Sequence, residues 1–193
     1  MTEEQRRHFV EPSDFHVDLK NKPARYFSGS ARIASGKLLM LDRVTGFWPR
    51  GGESGLGRLR GEKDIEPDEW YFKAHFFQDP VMPGSLGLES MTQLLQFFLL
   101  EARLDESLDA PYFEPAAPGY EIAWKYRGQV IPSAKRITLE MEICELVCGE
   151  RECVAAAEAW LWVDGVRIYH ARRIAARLVA RQSPITVSNR AIV

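Results

Sequence analysis

Apolar positions are densest in GSLGLESMTQLLQFFLLEARL, residues 84–104. Here Leu86, Leu88, Met91, Leu94, Leu95, Phe97, Phe98 and Leu99 cover most of a helical wheel. Glu89, Gln93 and Gln96 interrupt the run at i, i+4 and i+7, so they share one face. The pattern predicts a buried helix with a single polar stripe. It is too short and too interrupted for a membrane span, which needs about 20 mostly apolar residues. Upstream, Trp70, Tyr71, Phe72, Ala74, His75, Phe76 and Phe77 form an aromatic run that favours a half-buried strand. Asp79-Pro80 and Pro83-Gly84 then punctuate the chain. Residues before proline are pushed away from helical angles, so no helix is expected to begin before this pair.

The second half of the chain alternates. Ile137, Leu139, Met141 and Ile143 are interleaved with Thr138, Glu140 and Glu142, which predicts a strand with one face buried. Gly149-Glu150 and Asp164-Gly165 read as hairpin turns, bracketing a strand over Cys153 to Trp162. Val166 to Leu178 returns, although its second half, ARRIAARLVAR, fits a helix with arginines on one face equally well. Before the aromatic run, Leu38 to Trp48 is apolar and opens the core, PRGGESGLG at 49–57 is a hairpin loop, and Leu59 to Ile65 returns. The loop glycines do not have the spacing of a phosphate-binding loop. Asp42 and Arg43 are expected to make structural ion pairs or turn bonds. Residues 1–36 are polar and punctuated by proline and glycine, an extension with little regular structure apart from a short strand in FHVDL (15–19). The tail from 182 to 193 is polar. One folded domain over 37–181 is expected between them.

Composition narrows the function class. A net charge of −2 gives no bulk attraction to nucleic acid. Cys144, Cys148 and Cys153 lack zinc spacing and imply no disulfide framework, so they read as small residues packed in strands. MTEEQRRHFVEP has no apolar signal core, and a cytoplasmic setting follows by default. His8 and His16 have no partner motif nearby. His75, alone among aromatic residues, and Glu89, alone on its helix, read by pattern as packing and surface residues as readily as chemical ones.

The ordered set HFFQDPVMPGSLGLE (75–89) resembles the active-site motif of the bacterial 3-hydroxyacyl-acyl carrier protein dehydratases. It is most similar to the dehydratase/isomerase branch and to dehydratase domains of polyunsaturated fatty acid synthases. LLMLDRV (38–44), GQVIPSAKRITLEMEI (128–143) and VDGVRIYHA (163–171) match family segments in the same order. The resemblance implies an α+β hot-dog fold, a long central helix wrapped by a curved antiparallel sheet. It favours a strand for ARRIAARLVAR. It implies His75 as the base that takes the α-proton, Glu89 as the acid that protonates the departing hydroxyl, and the Gly84 amide as a donor to the thioester oxygen. Gln93, one turn beyond Glu89, matches a recurrent polar position that orients the carboxyl group or a water. Each role suits its residue. Imidazole titrates near about 6.5, desolvation in an apolar tunnel favours a protonated carboxyl, and helix N-terminal N–H groups suit an oxyanion. No metal or organic cofactor is required. A homodimer with the site shared between subunits is implied, acting on acyl thioesters of acyl carrier protein.

Two features depart from that family. The dehydratase/isomerase branch has aspartate where this chain has Glu89, which puts trans-2 to cis-3 isomerisation in question. The hairpin at 148–153 carries Glu150 and Glu152 where relatives place basic residues for carrier docking. Lys125, Arg127, Lys135 and Arg136 are either a substitute patch or a solvated strand edge. A hot-dog thioesterase and a catalytically silent acyl-binding subunit are the alternatives, and intact His75 and Glu89 in PVMPGSLGLE context argue against both.

Overall fold

A computed structural model describes residues 13–181. Its strands are β1 (Val17–Asp18), β2 (Arg43–Trp48), β3 (Arg58–Asp64), β4 (Tyr112–Phe113), β5 (Ala123–Tyr126), β6 (Arg136–Cys148), β7 (Glu152–Val163) and β8 (Val166–Val179). The helices are α1 (Ala24–Phe27), α2 (Trp70–Ala74) and α3 (Gly84–Glu101). All strands join one antiparallel sheet in the order β1-β2-β3-β6-β7-β8-β4, and β5 also pairs with β8. The sheet curls around α3, the hot-dog arrangement.

Directly paired residues of an antiparallel sheet point to the same face, so register gives the core. One row crosses the sheet through Leu59, Met141, Ala159, Ala171 and Trp124, and another through Gly61, Leu139, Leu161, Tyr169 and Tyr126. Small residues in these rows let α3 approach: a Cβ on Gly61 would lie 3.3 Å from a methyl of Leu94. From α3, Met91, Leu94, Leu95, Phe97, Leu99 and Leu100 are fully buried. Asp164 and Gly165 both take positive φ, +48° and +82°, as the tight β7–β8 turn requires.

The expectation of an aromatic strand at 70–77 is corrected. Trp70–Ala74 is a short helix, Tyr71 and Phe72 are buried from it, and Phe76 and Phe77 beyond it are exposed. Two adjacent buried rings do not fit the alternation of a strand, and the proline constraint acts only on the residue before each proline, well downstream of Trp70. The cysteine reading is also corrected. Cys148 and Cys153 are paired across the β6–β7 hairpin and joined by a disulfide, while Cys144 is free. Residues 13–36 carry little regular structure, yet Leu19, Tyr26, Ala31 and Ile33 belong to the core. His16 is exposed, and His8 and the tail from 182 lie outside the described residues. Among the described residues, no helix is long and apolar enough to cross a membrane.

Candidate active site

His75 directly follows α2, with extended backbone angles of −145° and 119° and a half-buried side chain. A reciprocal pair holds it. The Val81 N–H donates to the His75 carbonyl at 3.2 Å, and the His75 Nδ1 lies 3.0 Å from the Val81 carbonyl oxygen. A carbonyl only accepts, so Nδ1 carries the hydrogen. Neutral His75 therefore keeps its lone pair on Nε2, the nitrogen able to take a proton. The intervening loop turns at Gln78 (φ +61°) and is anchored beyond Val81 by Met82 N–H to the Val130 carbonyl at 2.9 Å.

Glu89 lies in the second turn of α3 and is half-buried. Its Oε1 accepts from Gln93 Nε2 at 2.8 Å. Gln93 has no solvent exposure. The same Nε2 donates to the Leu38 carbonyl at 2.7 Å, and Gln93 Oε1 accepts from the Met40 N–H at 2.8 Å. The amide orientation is thus fixed by backbone on one side and presents a hydrogen to Glu89 on the other. Among the described residues Glu89 Oε2 has no hydrogen-bond partner, so one carboxyl oxygen is held and the other is open.

Gly84 begins α3, with Pro83 before it. First-turn N–H groups have no partner within a helix, and the aligned dipoles of 18 residues add positive potential there. A Cβ at Gly84 would come within 2.7 Å of the Trp124 ring, and one at Gly87 within 2.2 Å of the Tyr169 ring. Trp124, Tyr126 and Tyr169 contact one another with centroids 5.0–5.5 Å apart, forming an aromatic cover over this helix end. Burial raises the Tyr169 hydroxyl well above its ordinary pKa, so this cover is uncharged at neutral pH.

The sequence therefore places Gly84, Glu89 and Gln93 on one helix and His75 at the end of the helix before it. Within the single chain His75 and Glu89 have separate hydrogen-bond partners. The aromatic cover was not identified from sequence, although Trp124 and Tyr126 stand two apart in a short strand. The Asp42–Arg43 pair splits into two networks. Asp42 faces Lys20 and Lys63, and Arg43 faces Glu62 and Asp64. Of the four basic candidates, Lys125 and Arg127 line a cavity of about 450 Å³, while Arg136 is engaged by Glu62 and Asp64. Tyr112 and Phe113 form β4 at the far end of β8. Among the described residues there is no cluster of three or more His, Cys, Asp or Glu able to hold a metal.

Residues 33–172 match the profile of the FabA-like domain. The chain belongs to the FabA-like domain family. A FabA-like relative, a polyunsaturated fatty acid synthase subunit of Thraustochytrium sp. (strain ATCC 26185 / S-3), is 36% identical over 142 residues. That match takes in 72% of this chain and 9% of the relative, so the chain spans a small part of the relative's length. Among solved structures, the dehydratase heterocomplex ApeI:P from Xenorhabdus doucetiae aligns with a TM-score of 0.50 and 11% identity, covering 81% of this chain and 91% of that one. The structural likeness concerns the fold. FabA-like membership and the synthase relative support a dehydratase role.

Proposed function

We propose that this FabA-like chain removes water from 3-hydroxyacyl thioesters carried on acyl carrier protein, giving trans-2-enoyl thioesters. The observation that carries this reading is the complementary state of the two site residues: His75 with its Nε2 lone pair free, and Glu89 with one carboxyl oxygen held by Gln93 and the other open. Nε2 takes the proton from the α-carbon. Electron density builds on the thioester oxygen, which accepts from the Gly84 N–H. The bond to the 3-hydroxyl breaks as Glu89 gives that oxygen its proton, and the electron pair of the broken C–H bond becomes the new double bond. No oxidant, reductant or metal is needed. Transfer of the proton from His75 back to Glu89 through water resets the pair.

A second copy of the chain completes this site in the proposal, with His75 of one subunit serving beside Glu89 of the other. Apolar surface is open beside both elements. Phe76 and Phe77, next to His75, are 61% and 91% exposed, and Ile122, Trp124 and Tyr126 are exposed around β5. The cavity bounded by Lys125, Arg127, Arg167 and Arg172 supports docking of an acidic carrier, with Glu53, Glu142 and Glu158 interspersed to favour a patterned rather than a uniformly negative partner. Glu89, one methylene longer than aspartate, supports dehydration without isomerisation, since about 1 Å of displacement alters proton transfer strongly.

Turnover of 3-hydroxydecanoyl thioester on carrier protein and on a small thiol, with products resolved by chromatography and mass spectrometry, tests the reading. Wild type is expected to give the trans-2-enoyl product, with His75→Ala and Glu89→Gln each lower by about 10²-fold or more. Free acid as the sole product, or binding without turnover at every chain length, overturns it.

A further inference from the structure

Strand alternation puts Lys63 on the core face of β3, in line with Leu59 and Gly61, and paired with Ile137 and through it Val163. An apolar residue is the default there. Lys63 is instead 5% exposed, and its Nζ lies 2.8 Å from Glu69 Oε1 and 3.8 Å from Asp42 Oδ1. Asp42, also 5% exposed, accepts from the Asp64 N–H at 2.9 Å and faces Lys20 at 3.2 Å. Removing two charges from water is unfavourable, and an apolar replacement of the same volume commonly serves stability as well or better. What the ion group does contribute is geometry. Glu69 is the residue from which α2 starts, and His75 is the residue at which it ends. Trp70, the first residue of α2, donates from Nε1 to the Lys37 carbonyl at 2.9 Å. Gln93, which holds Glu89, grips the same stretch at Leu38 and Met40.

We propose that Lys63 is a positioning residue for His75, acting through Glu69 and α2, and that residues 37–42 are a common brace for both proposed reacting groups. The proposal rests on the dehydratase reading for its catalytic consequence. Its structural content stands separately. In a dimer whose sites are shared, each brace joins the base of one site to the acid of the other, so a disturbance at Lys63 reaches both sites.

The test compares Lys63→Met, Glu69→Gln, Glu69→Ala and the Lys63→Met/Glu69→Ala pair in the whole chain. Glutamine retains an acceptor for the ammonium group and alanine does not. Lys63→Met and Glu69→Ala are expected to lower kcat about tenfold or more with KM within about twofold, because small displacements of a reacting group act on the chemical step. Glu69→Gln is expected to stay near wild type, and the double variant to be no worse than the worse single, as residues acting through one path are not additive. NMR signals of the His75 imidazole should shift in Lys63→Met and Glu69→Ala without any substrate. If Lys63→Met does not fold, Glu69→Ala carries the test from its partly exposed position. Unmoved His75 signals, or losses in kcat that only follow the unfolded fraction, overturn the proposal. Shifted signals in a wild type without turnover uphold the brace and overturn the dehydratase reading.

Discussion

At the scale of the residue, Gln93 shows how much one buried amide can organise. It closes the gap between α3 and the 38–40 backbone and holds the Glu89 carboxyl. Gln93→Leu keeps the volume and removes every one of those bonds, leaving the Met40 N–H and Leu38 carbonyl inside without partners. A loss of about 2–4 kcal/mol in unfolding free energy is expected by urea titration, since each buried unsatisfied group costs roughly 1–3 kcal/mol. Dehydration should fall further than the folded fraction does, because Glu89 loses its fixed rotamer as well. Glu89 and Gln93 were legible in the sequence as a polar stripe at helical spacing. That His75 holds its Nδ1 proton against Val81 was not, because it depends on how the Gln78 turn brings the chain back.

At the scale of the element, packing decided what local preference left open. The central helix was legible because its apolar positions exceed one face and Pro83-Gly84 marks its start. The ARRIAARLVAR segment was ambiguous for an identifiable reason. Register shifts between Ala157 and Ala159 where β7 meets β8, and Arg173 takes φ +56°. This bulge exposes Arg172 and Arg173 together and breaks the alternation that would have marked a strand. The aromatic run at 70–77 misled in the opposite direction, since β-propensity reflects a pleated neighbour that α2 does not have. Where α3 crosses the sheet, the fit leaves no room for change. Gly87→Ala puts a methyl into the Tyr169 ring, and overpacking of this kind costs about 1–3 kcal/mol. A lowered thermal midpoint is expected, while Gly149→Ala, in open space at the hairpin tip, serves as the unaffected control.

At the scale of the whole molecule, charge is gathered on the outer face of the sheet. Arg43, Glu62, Asp64 and Arg136 form one network across β2, β3 and β6. Hydrogen bonds from Arg43, and then from Arg136, hold the Asp64 carboxyl well below the usual carboxylate range despite partial burial. A depressed folded pKa contributes stability that is complete above the unfolded value of about 3.9 and is lost as pH falls from there toward the folded value. Asp64→Asn should therefore be less stable than wild type at pH 7, with the gap narrowing below about pH 4. Urea titrations at pH 7, 5 and 3 measure this directly. The same sheet joins distant parts of the chain, since β3 meets β6 with Arg58 against Glu140, 82 residues further on. During synthesis at about 5–20 residues per second, β3 waits roughly 4–16 seconds for that partner to be made. The central helix emerges within the same interval, before the strands that cover it exist. The nascent chain thus carries its most water-averse segment uncovered beside an unpaired strand edge, and this waiting period, rather than the finished fold, is where chaperones would have their purchase on it.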